Sequence, residues 1–313
     1  MTDTSLPVVL NPAAGGGRLL GERPRLEAAA GALGLDLEWW PTAGPGHGEE
    51  LARRAATSGR PLILAFGGDG TYNEVARGLL GSRTSMGVLP GGTTSVLAYE
   101  LGVPRPARAA LRAVVSGADR AFRVGRTSRD EVFLLMLSAG PDSLVLSSLG
   151  PSLKRLGGRV GVALQAVREL VRRRAMPRLT VRLEDEELSC GWAIVGKSRC
   201  YAGPFHATPS ADPFAATLEL VAQLRAGRGA ALGFALGMVS GRHVRRTDVR
   251  RASVERARLE PAPGWDGVRY QVDGDVAHEL PVELWVDPQP LMVRVPEPHR
   301  RSGRARESTG VTG

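Results

Sequence analysis

The sequence predicts an α/β domain with a parallel sheet, followed by a mostly antiparallel β domain. Three observations carry that prediction. The first ~120 residues alternate short apolar runs with helical patterns, as parallel sheets do. Every glycine-rich stretch in that part falls just after a strand pattern and just before a helix pattern. Beyond Arg120 the rhythm becomes one of short strands separated by turns.

In order, Pro7-Val8-Val9-Leu10 reads as a strand and Gly21 to Leu33 as a helix. Leu35 to Trp40 is a second strand and Gly48 to Thr57 a second helix. Pro61 to Phe66 is a buried strand, followed by a helix from about Tyr72 to Leu80. Ser85 to Leu89 is a strand, Thr94 to Leu101 a helix, and Pro106 to Ser116 a helix opened by proline, where a missing N–H costs nothing. Phe122-Arg123-Val124 and Val132 to Leu137 read as hairpin strands around Thr127 to Asp130. Val160, Leu164, Val167 and Val171 recur at helical spacing, so Gly158 to Arg174 is expected to be an amphipathic helix. Strand patterns follow at Leu179 to Leu183, Trp192 to Val195, Leu218 to Val221, Val268 to Val272 and Val282 to Val286, with one apolar helical run, Ala230 to Val239. The tail after Val295 is rich in Pro, Arg, Ser and Gly and is expected to be disordered. The boundaries are 1–120 for the α/β domain, 121–296 for the β-rich domain, whose last strand may rejoin the first, and 297–313 for the basic tail.

The 313 residues suffice for about two domains, and 42% hydrophobic with 23% charged residues is a globular composition. No uncharged apolar run of ~18 residues is present, and the N-terminus lacks the basic and apolar regions of a signal peptide. Two cysteines, Cys190 and Cys200, make no disulfide framework, which fits a reducing cytoplasm. The net charge of +9 is almost all arginine, since only Lys154 and Lys197 are lysines. A GC-rich coding sequence accounts for that composition; attraction to an anionic membrane is the functional reading. The basic stretches, Arg168 to Arg178, Arg242 to Arg258 and Arg300 to Arg306, are not interleaved with aromatics, so no nucleic acid is expected as a partner. The five histidines share no ligand spacing with one another or with the cysteines, which argues against zinc. Trp39 and Trp40 fit core packing or stacking near a base.

The chemistry lies in three loops. Asn11-Pro12-Ala13-Ala14-Gly15-Gly16-Gly17-Arg18 follows the first strand. Gly67-Gly68-Asp69-Gly70-Thr71 follows the Pro61–Phe66 strand and leads into Tyr72-Asn73-Glu74. Pro90-Gly91-Gly92-Thr93 follows the Ser85–Leu89 strand. Phosphate binding needs backbone N–H groups unobstructed by Cβ atoms, and a helix N-terminus behind the loop adds a favourable dipole. Any one loop is satisfied by a plain turn; three on one sheet edge point to a nucleotide. Asp69 among the glycines repels bare phosphate, so it is expected to act through Mg²⁺ or a ligand hydroxyl. There is no G-x-x-x-x-G-K-[ST], so the chain is not a P-loop NTPase.

The segment GGDGTYNE at Gly67–Glu74 resembles that of the diacylglycerol kinase catalytic family, the bacterial sphingosine/diacylglycerol kinase-like lipid kinases. Asn11-Pro12 and Leu89-Pro90-Gly91-Gly92-Thr93 are similar to that family's first and third loops. Tyr201-Ala202-Gly203-Pro204-Phe205 with Pro209-Ser210-Ala211-Asp212, and Gln271-Val272-Asp273-Gly274-Asp275, are similar to its later motifs. The resemblance implies an NAD kinase/diacylglycerol kinase-like fold with ATP in the interdomain cleft. It implies that the backbone around Asn11, Pro12, Ala13, Ala14 and Gly15 and around Gly67, Gly68, Asp69, Gly70, Thr71, Tyr72 and Asn73, with Gly92 and Thr93, holds the nucleotide phosphates, and that Thr42 is a further nucleotide contact. It implies Asp69 at Mg²⁺, and Asp275 as general base where many relatives carry Glu; Asp273 is the fallback.

Two departures follow. Relatives often carry Asn-Asp after the third loop; here Ser95-Val96 stands. Many have an Asp-Gly serving a structural Mg²⁺ near the second-domain signature; here Ala215-Ala216 stands, with Asp212 as the compensating candidate ligand. The expected activity is ATP-dependent phosphorylation of a lipid hydroxyl by a cytoplasmic enzyme peripheral to the inner membrane face. Arg168 to Arg178 would meet anionic headgroups, and Ala230 to Val239 would line an acyl-chain groove or pack as a core helix. The alternatives are an NAD kinase-like enzyme, which shares a GGDGT loop, and a catalytically weak lipid- or nucleotide-binding relative.

Overall fold

A computed structural model describes residues 5–148, 176–201, 203 and 205–297. The expected helix over Gly158–Arg174, most of the Arg168–Arg178 stretch and the basic tail lie outside the described residues.

The first sheet has the order β2-β1-β3-β4-β18-β5. Strands β1 (Leu6–Leu10), β2 (Leu37–Pro41), β3 (Leu62–Gly67), β4 (Ser85–Pro90) and β18 (Leu291–Val295) pair in parallel, and β5 (Ala118–Phe122) closes the edge antiparallel to β18. Every residue of β1 and β3 is buried, as strands covered on both faces require. Helices α1 (Arg23–Gly31), α2 (His47–Thr57), α3 (Asp69–Leu79), α4 (Val96–Glu100) and α5 (Ala107–Val115) supply that cover. The segment Ala14–Glu22, expected to be loop and the start of a helix, is a 3-10 stretch broken by the positive φ of three consecutive glycines.

The second domain is a sandwich of two six-stranded sheets. One is ordered β10 (Glu187–Cys190), β9 (Leu179–Arg182), β14 (Arg256–Pro261), β17 (Val282–Val286), β6 (Gly125–Thr127) and β7 (Val132–Phe133); the other is ordered β13 (Val249–Val254), β12 (Leu218–Gln223), β11 (Trp192–Gly196), β8 (Met136–Ala139), β15 (Arg269–Val272) and β16 (Asp275–Glu279). Its pairings are antiparallel throughout. Both halves of the predicted fold class are therefore present. Strand β11 (Trp192–Gly196) shows the logic of alternation. Ala193 and Val195 face the sandwich interior with Leu137, Leu179 and Leu220. Trp192 and Ile194 face the other way, into the cluster that holds Phe234 of α7 (Arg228–Val239).

Several sequence expectations shift. Phe122 closes β5 in the first sheet, and the hairpin is formed instead by β6 (Gly125–Thr127) and β7 (Val132–Phe133). The Arg242–Arg258 stretch forms β13 (Val249–Val254) and β14 (Arg256–Pro261), separated by Glu255. Its arginines are largely spent on nearby acids: Arg246 on Asp248, Arg250 on Glu186, Arg251 on Glu219 and Arg258 on Glu283. Trp40 is core, with Arg54 over its ring, and Trp39 donates to Glu27.

Candidate active site

The three glycine loops meet at the C-terminal edge of the first sheet, because parallel strands deliver all their exits to one side. Gly91 N and Gly92 N both donate to Gly67 O at 2.8 Å, which ties the second and third loops together. A Cβ at Gly92 would lie 2.7 Å from Gly68 Cα, so this approach demands glycine. The first loop is tied to the second by Asn11: its N donates to Phe66 O at 3.1 Å, and its Nδ2 to Thr71 Oγ1 at 3.0 Å. Its Oδ1 accepts from Ala13 N at 3.0 Å, which shapes the turn through Pro12 and Ala14. Gly15 has φ +60°, and a Cβ there would meet Gly91 O at 2.5 Å. Thr42 N donates to Leu10 O at 2.8 Å, bringing Thr42 to the same edge, and Thr93 is exposed at the tip of the third loop.

Helix α3 starts at Asp69, three residues earlier than the sequence suggested, with Gly68 as an extended N-cap. Its first internal bond is Tyr72 N to Gly68 O, at 3.1 Å. The N–H groups at the start of the helix, around Gly70, therefore give the loop its positive dipole end.

The side chains of Tyr72 and Asn73 turn inward from the start of α3, which leaves only their backbone to the loop. Tyr72 is fully buried and its hydroxyl donates to Gly67 O and Leu89 O, both at 2.9 Å, so the side chain braces the loops from behind. Asn73 is buried and its Nδ2 donates to Val132 O at 2.7 Å and Asp273 Oδ2 at 3.1 Å. Its side chain thereby joins the two domains. Glu74, the last residue of the motif, accepts from Gly46 N and Gly48 N at 2.9 and 3.0 Å and so caps α2.

Asp69 accepts from Val96 N at 3.0 Å on Oδ2 and from Leu97 N at 2.9 Å on Oδ1, with Thr94 Oγ1 at 3.5 Å. The carboxylate thus caps α4 while remaining at the cavity wall. Burial raises its pKa, and the backbone N–H bonds oppose that rise. Asp273 is more heavily engaged. Its Oδ1 accepts from Leu135 N and Met136 N at 2.9 and 3.0 Å, and its Oδ2 from Leu134 N at 2.8 Å and Asn73 Nδ2. Burial pushes its pKa up to about 6 against these four donors. Asp275, two residues on at the start of β16 (Asp275–Glu279), is exposed. A second interdomain tie is Glu100 of α4, buried, which accepts from Arg199 Nε at 2.8 Å and Cys200 N at 3.0 Å.

A cavity of about 480 Å³ joins these acids to the second domain. Asp69, Thr94 and Val96 stand at one part of its wall with Asp273 and Gly274; Val145, Trp192, Ala235 and Met238 make the rest largely apolar. That size is typical of a small-molecule site. Asp142, on α6 (Pro141–Ser148), is the residue the sequence did not flag. It is buried in the cavity wall, accepts from Tyr201 Oη and from Ser143 N at 2.9 Å each, and has its pKa raised by burial. The one available signal was an acid directly after Gly140-Pro141 at a helix start. A larger open depression, about 1290 Å³, is lined by Arg182, Glu186, Arg250 and Glu283 and includes none of the glycine-loop residues. Arg250 pairs with Glu186 and Arg258 with Glu283 there, and the glycine loops do not reach it, so the smaller cavity is the candidate site.

The second-domain cation site that the resemblance implies does not fit the residues present. The Lys197 Nζ donates to Asp212 O, Ala215 O and Thr217 O, at 2.8, 2.6 and 3.0 Å. Burial brings its pKa down to about 8, so it is charged at neutral pH. The Asp212 carboxylate accepts from Phe214 N at 2.9 Å, which corrects the expectation of Asp212 as a metal ligand: the turn already surrounds a cation. Asp69 does suit Mg²⁺, because that ion is commonly held by one or two carboxylates together with substrate phosphates and water.

A glycine-loop edge on a parallel sheet, facing an apolar cavity in an antiparallel sandwich, defines the class of two-domain kinases with a lipid acceptor. The comparisons with known proteins make this specific. Residues 5–127 match the diacylglycerol kinase catalytic domain, and residues 136–295 match the YegS C-terminal NAD kinase beta sandwich-like domain. The chain belongs to the diacylglycerol kinase catalytic family and is a lipid kinase. It is 26% identical over 291 residues to a diacylglycerol kinase of Mycobacterium tuberculosis (strain H37Rv), covering 89% of this chain and 93% of that one. It is 25% identical over 287 residues to a diacylglycerol kinase of Staphylococcus aureus (strain MRSA252), covering 88% of each. A crystal structure of a candidate diacylglycerol kinase from Bacillus anthracis str. Sterne has the same fold, with TM-score 0.77, 19% identity, and coverage of 93% and 95%.

Proposed function

We propose that this kinase transfers the γ-phosphoryl group of ATP to a hydroxyl of a diacylglycerol-like lipid. The observation that carries the proposal is the single cavity that runs from Asp69 and Thr94, at the glycine loops, to Ala235 and Met238 of α7. Its apolar wall suits acyl chains and disfavours a charged dinucleotide acceptor such as NAD.

Phosphoryl transfer asks the protein for alignment, charge stabilisation and a proton acceptor. The loops at Asn11, Gly67 and Gly92 offer backbone N–H groups to the phosphates. Asp69 is the carboxylate that would hold Mg²⁺, which supplies charge neutralisation when bound with the nucleotide. A carboxylate has about four acceptor sites, and all four on Asp273 are taken. Asp273 is therefore a positioning residue that fixes the Gly274–Asp275 turn, and Asp275 is the group assigned to take the lipid hydroxyl's proton. The buried Asp142–Tyr201 pair gives the apolar wall one polar spot for the headgroup end of the lipid.

The enzyme is proposed to act as a peripheral protein at a bilayer surface. Among the described residues no helix is long and apolar enough to cross a membrane. Leu232 and Leu236 on α7 are 49% and 60% exposed, on the same helix that walls the cavity. Such an apolar face supports interfacial binding. The test is incubation with ATP, Mg²⁺ and a panel of diacylglycerol, sphingoid base, ceramide, phosphatidylglycerol and NAD. Phosphorylation of one lipid by wild type, lost in Asp69→Ala, is expected. No lipid product, with Asp69→Ala binding ATP as well as wild type, would sink the proposal and favour a binding-only relative.

A further inference from the structure

The chain codes nearly all of its 41 basic residues as arginine, with lysine only at Lys154 and Lys197. Lys197 is completely buried at the end of β11, where a charge is costly unless compensated. Its hydrogen-bond partners are three carbonyls of one turn, Asp212, Ala215 and Thr217, which converge on Nζ at 2.6–3.0 Å, and the nearby Asp212 charge adds attraction. An ammonium has three N–H donors and the turn supplies three acceptors. A planar guanidinium, with five donors in a fixed fork, does not match such a set. Converging carbonyls are also a donor set for a hard metal cation. Here the lysine stem occupies that approach.

We propose that Lys197 is a built-in structural cation: its ammonium does in this chain what a bound divalent ion does in a carbonyl cage, which makes the 212–217 turn independent of metal. The turn matters beyond itself. Pro213 O accepts from Arg123 N at 2.9 Å, Phe214 packs edge-on against Phe122 at 6.0 Å, and Arg120 lies 3.5 Å over the Phe214 ring. These residues lie where the chain passes from the first sheet to the second domain. Ordering the turn therefore helps to set the two domains around the cavity.

The test uses the full, nucleotide-free chain. Wild type is expected to melt at the same temperature in EDTA and in Mg²⁺ or Ca²⁺. Lys197→Ala removes the ammonium and opens the cage. It should melt on the order of 10 °C lower in EDTA, since it leaves buried acceptors without their cation. Divalent ion should restore part of that loss and bind at least about tenfold more tightly than to wild type. Lys197→Met, which keeps the stem without the charge, should be destabilised and gain nothing from metal. An undisturbed melting temperature in Lys197→Ala overturns the proposal, and so does equal rescue of both variants. If Lys197→Ala does not fold, Mn²⁺ soaked into wild-type crystals decides. Anomalous density between the 212, 215 and 217 carbonyls contradicts the proposal, and a cage without Mn²⁺ supports it.

Discussion

The Gly67–Thr71 loop and the Gln271–Asp275 turn reach the same cavity from opposite domains, and each presents a carboxylate to backbone N–H groups. The loads differ. Asp69 takes one short backbone bond per oxygen, both from the start of α4, and keeps acceptor capacity toward the cavity. Asp273 takes two donors per oxygen, from the β7–β8 segment and from Asn73. One acid is held yet still available; the other is saturated. On the proposed function, two Asp-Gly pairs of similar appearance divide the work, one to meet ligand and one to lock the domains.

The comparison can be broken at either acid. Asp69→Asn should lower kcat by about 10²–10³-fold, the usual consequence of losing one electrostatic contact to a developing charge, while the chain stays folded. Steady-state assays beside thermal melts check this. Asp273→Asn should act in the opposite sense. It places an amide donor among backbone donors and should cost about 3 kcal/mol in urea unfolding, with a smaller change in turnover per folded molecule.

The pH dependence sharpens the same contrast. Asp273 has its folded pKa raised to about 6 from 3.8. Its protonation therefore favours the folded state below pH ~4, and that contribution is lost as pH rises through about 6. The stability advantage of wild type over Asp273→Asn should shrink over that interval, as unfolding at several pH values would show. Next in size, Gly92→Ala forces a Cβ against Gly68 and should cost about 1–3 kcal/mol, parting the loops and weakening ATP binding in calorimetry. Tyr72→Phe removes the hydroxyl's bonds to Gly67 O and Leu89 O and its longer contact with Ser95 Oγ, and should cost about 1 kcal/mol with ATP affinity nearly unchanged.

What the sequence showed clearly was what local chemistry enforces. Leu62–Phe66 is uniformly apolar and must be buried, and glycines after it must turn, so β3 and its loop were legible. Strands β13 and β14 were not, because VRRASV and RARLEP hide their alternation under arginines. Those arginines are satisfied by Glu219 and Glu283 on other strands and by Glu186 in the turn after β9, which no local pattern announces. The start of α3 was placed late because Gly68 and Gly70 read as loop, whereas the N-terminal turn tolerates them. At the site, the motif located the loops that meet at the sheet edge but not which way each side chain points. Tyr72 and Asn73 turn their side chains inward from the first turn of α3, and their partners Leu89 and Asp273 lie on other elements. Lys197 was invisible for the same reason, since its partners are carbonyls that carry no sequence signature.

The division of labour in the 271–275 turn rests on Asp275, and the most direct measurement is the turnover of Asp275→Asn on whichever lipid wild type phosphorylates, with ATP affinity and melting temperature taken on the same sample. Loss of the general base predicts a kcat lower by about 10²–10⁴-fold, with ATP affinity and melting temperature unchanged. Turnover equal to wild type would contradict the assignment of Asp275 and, with it, the view that Asp273 only positions.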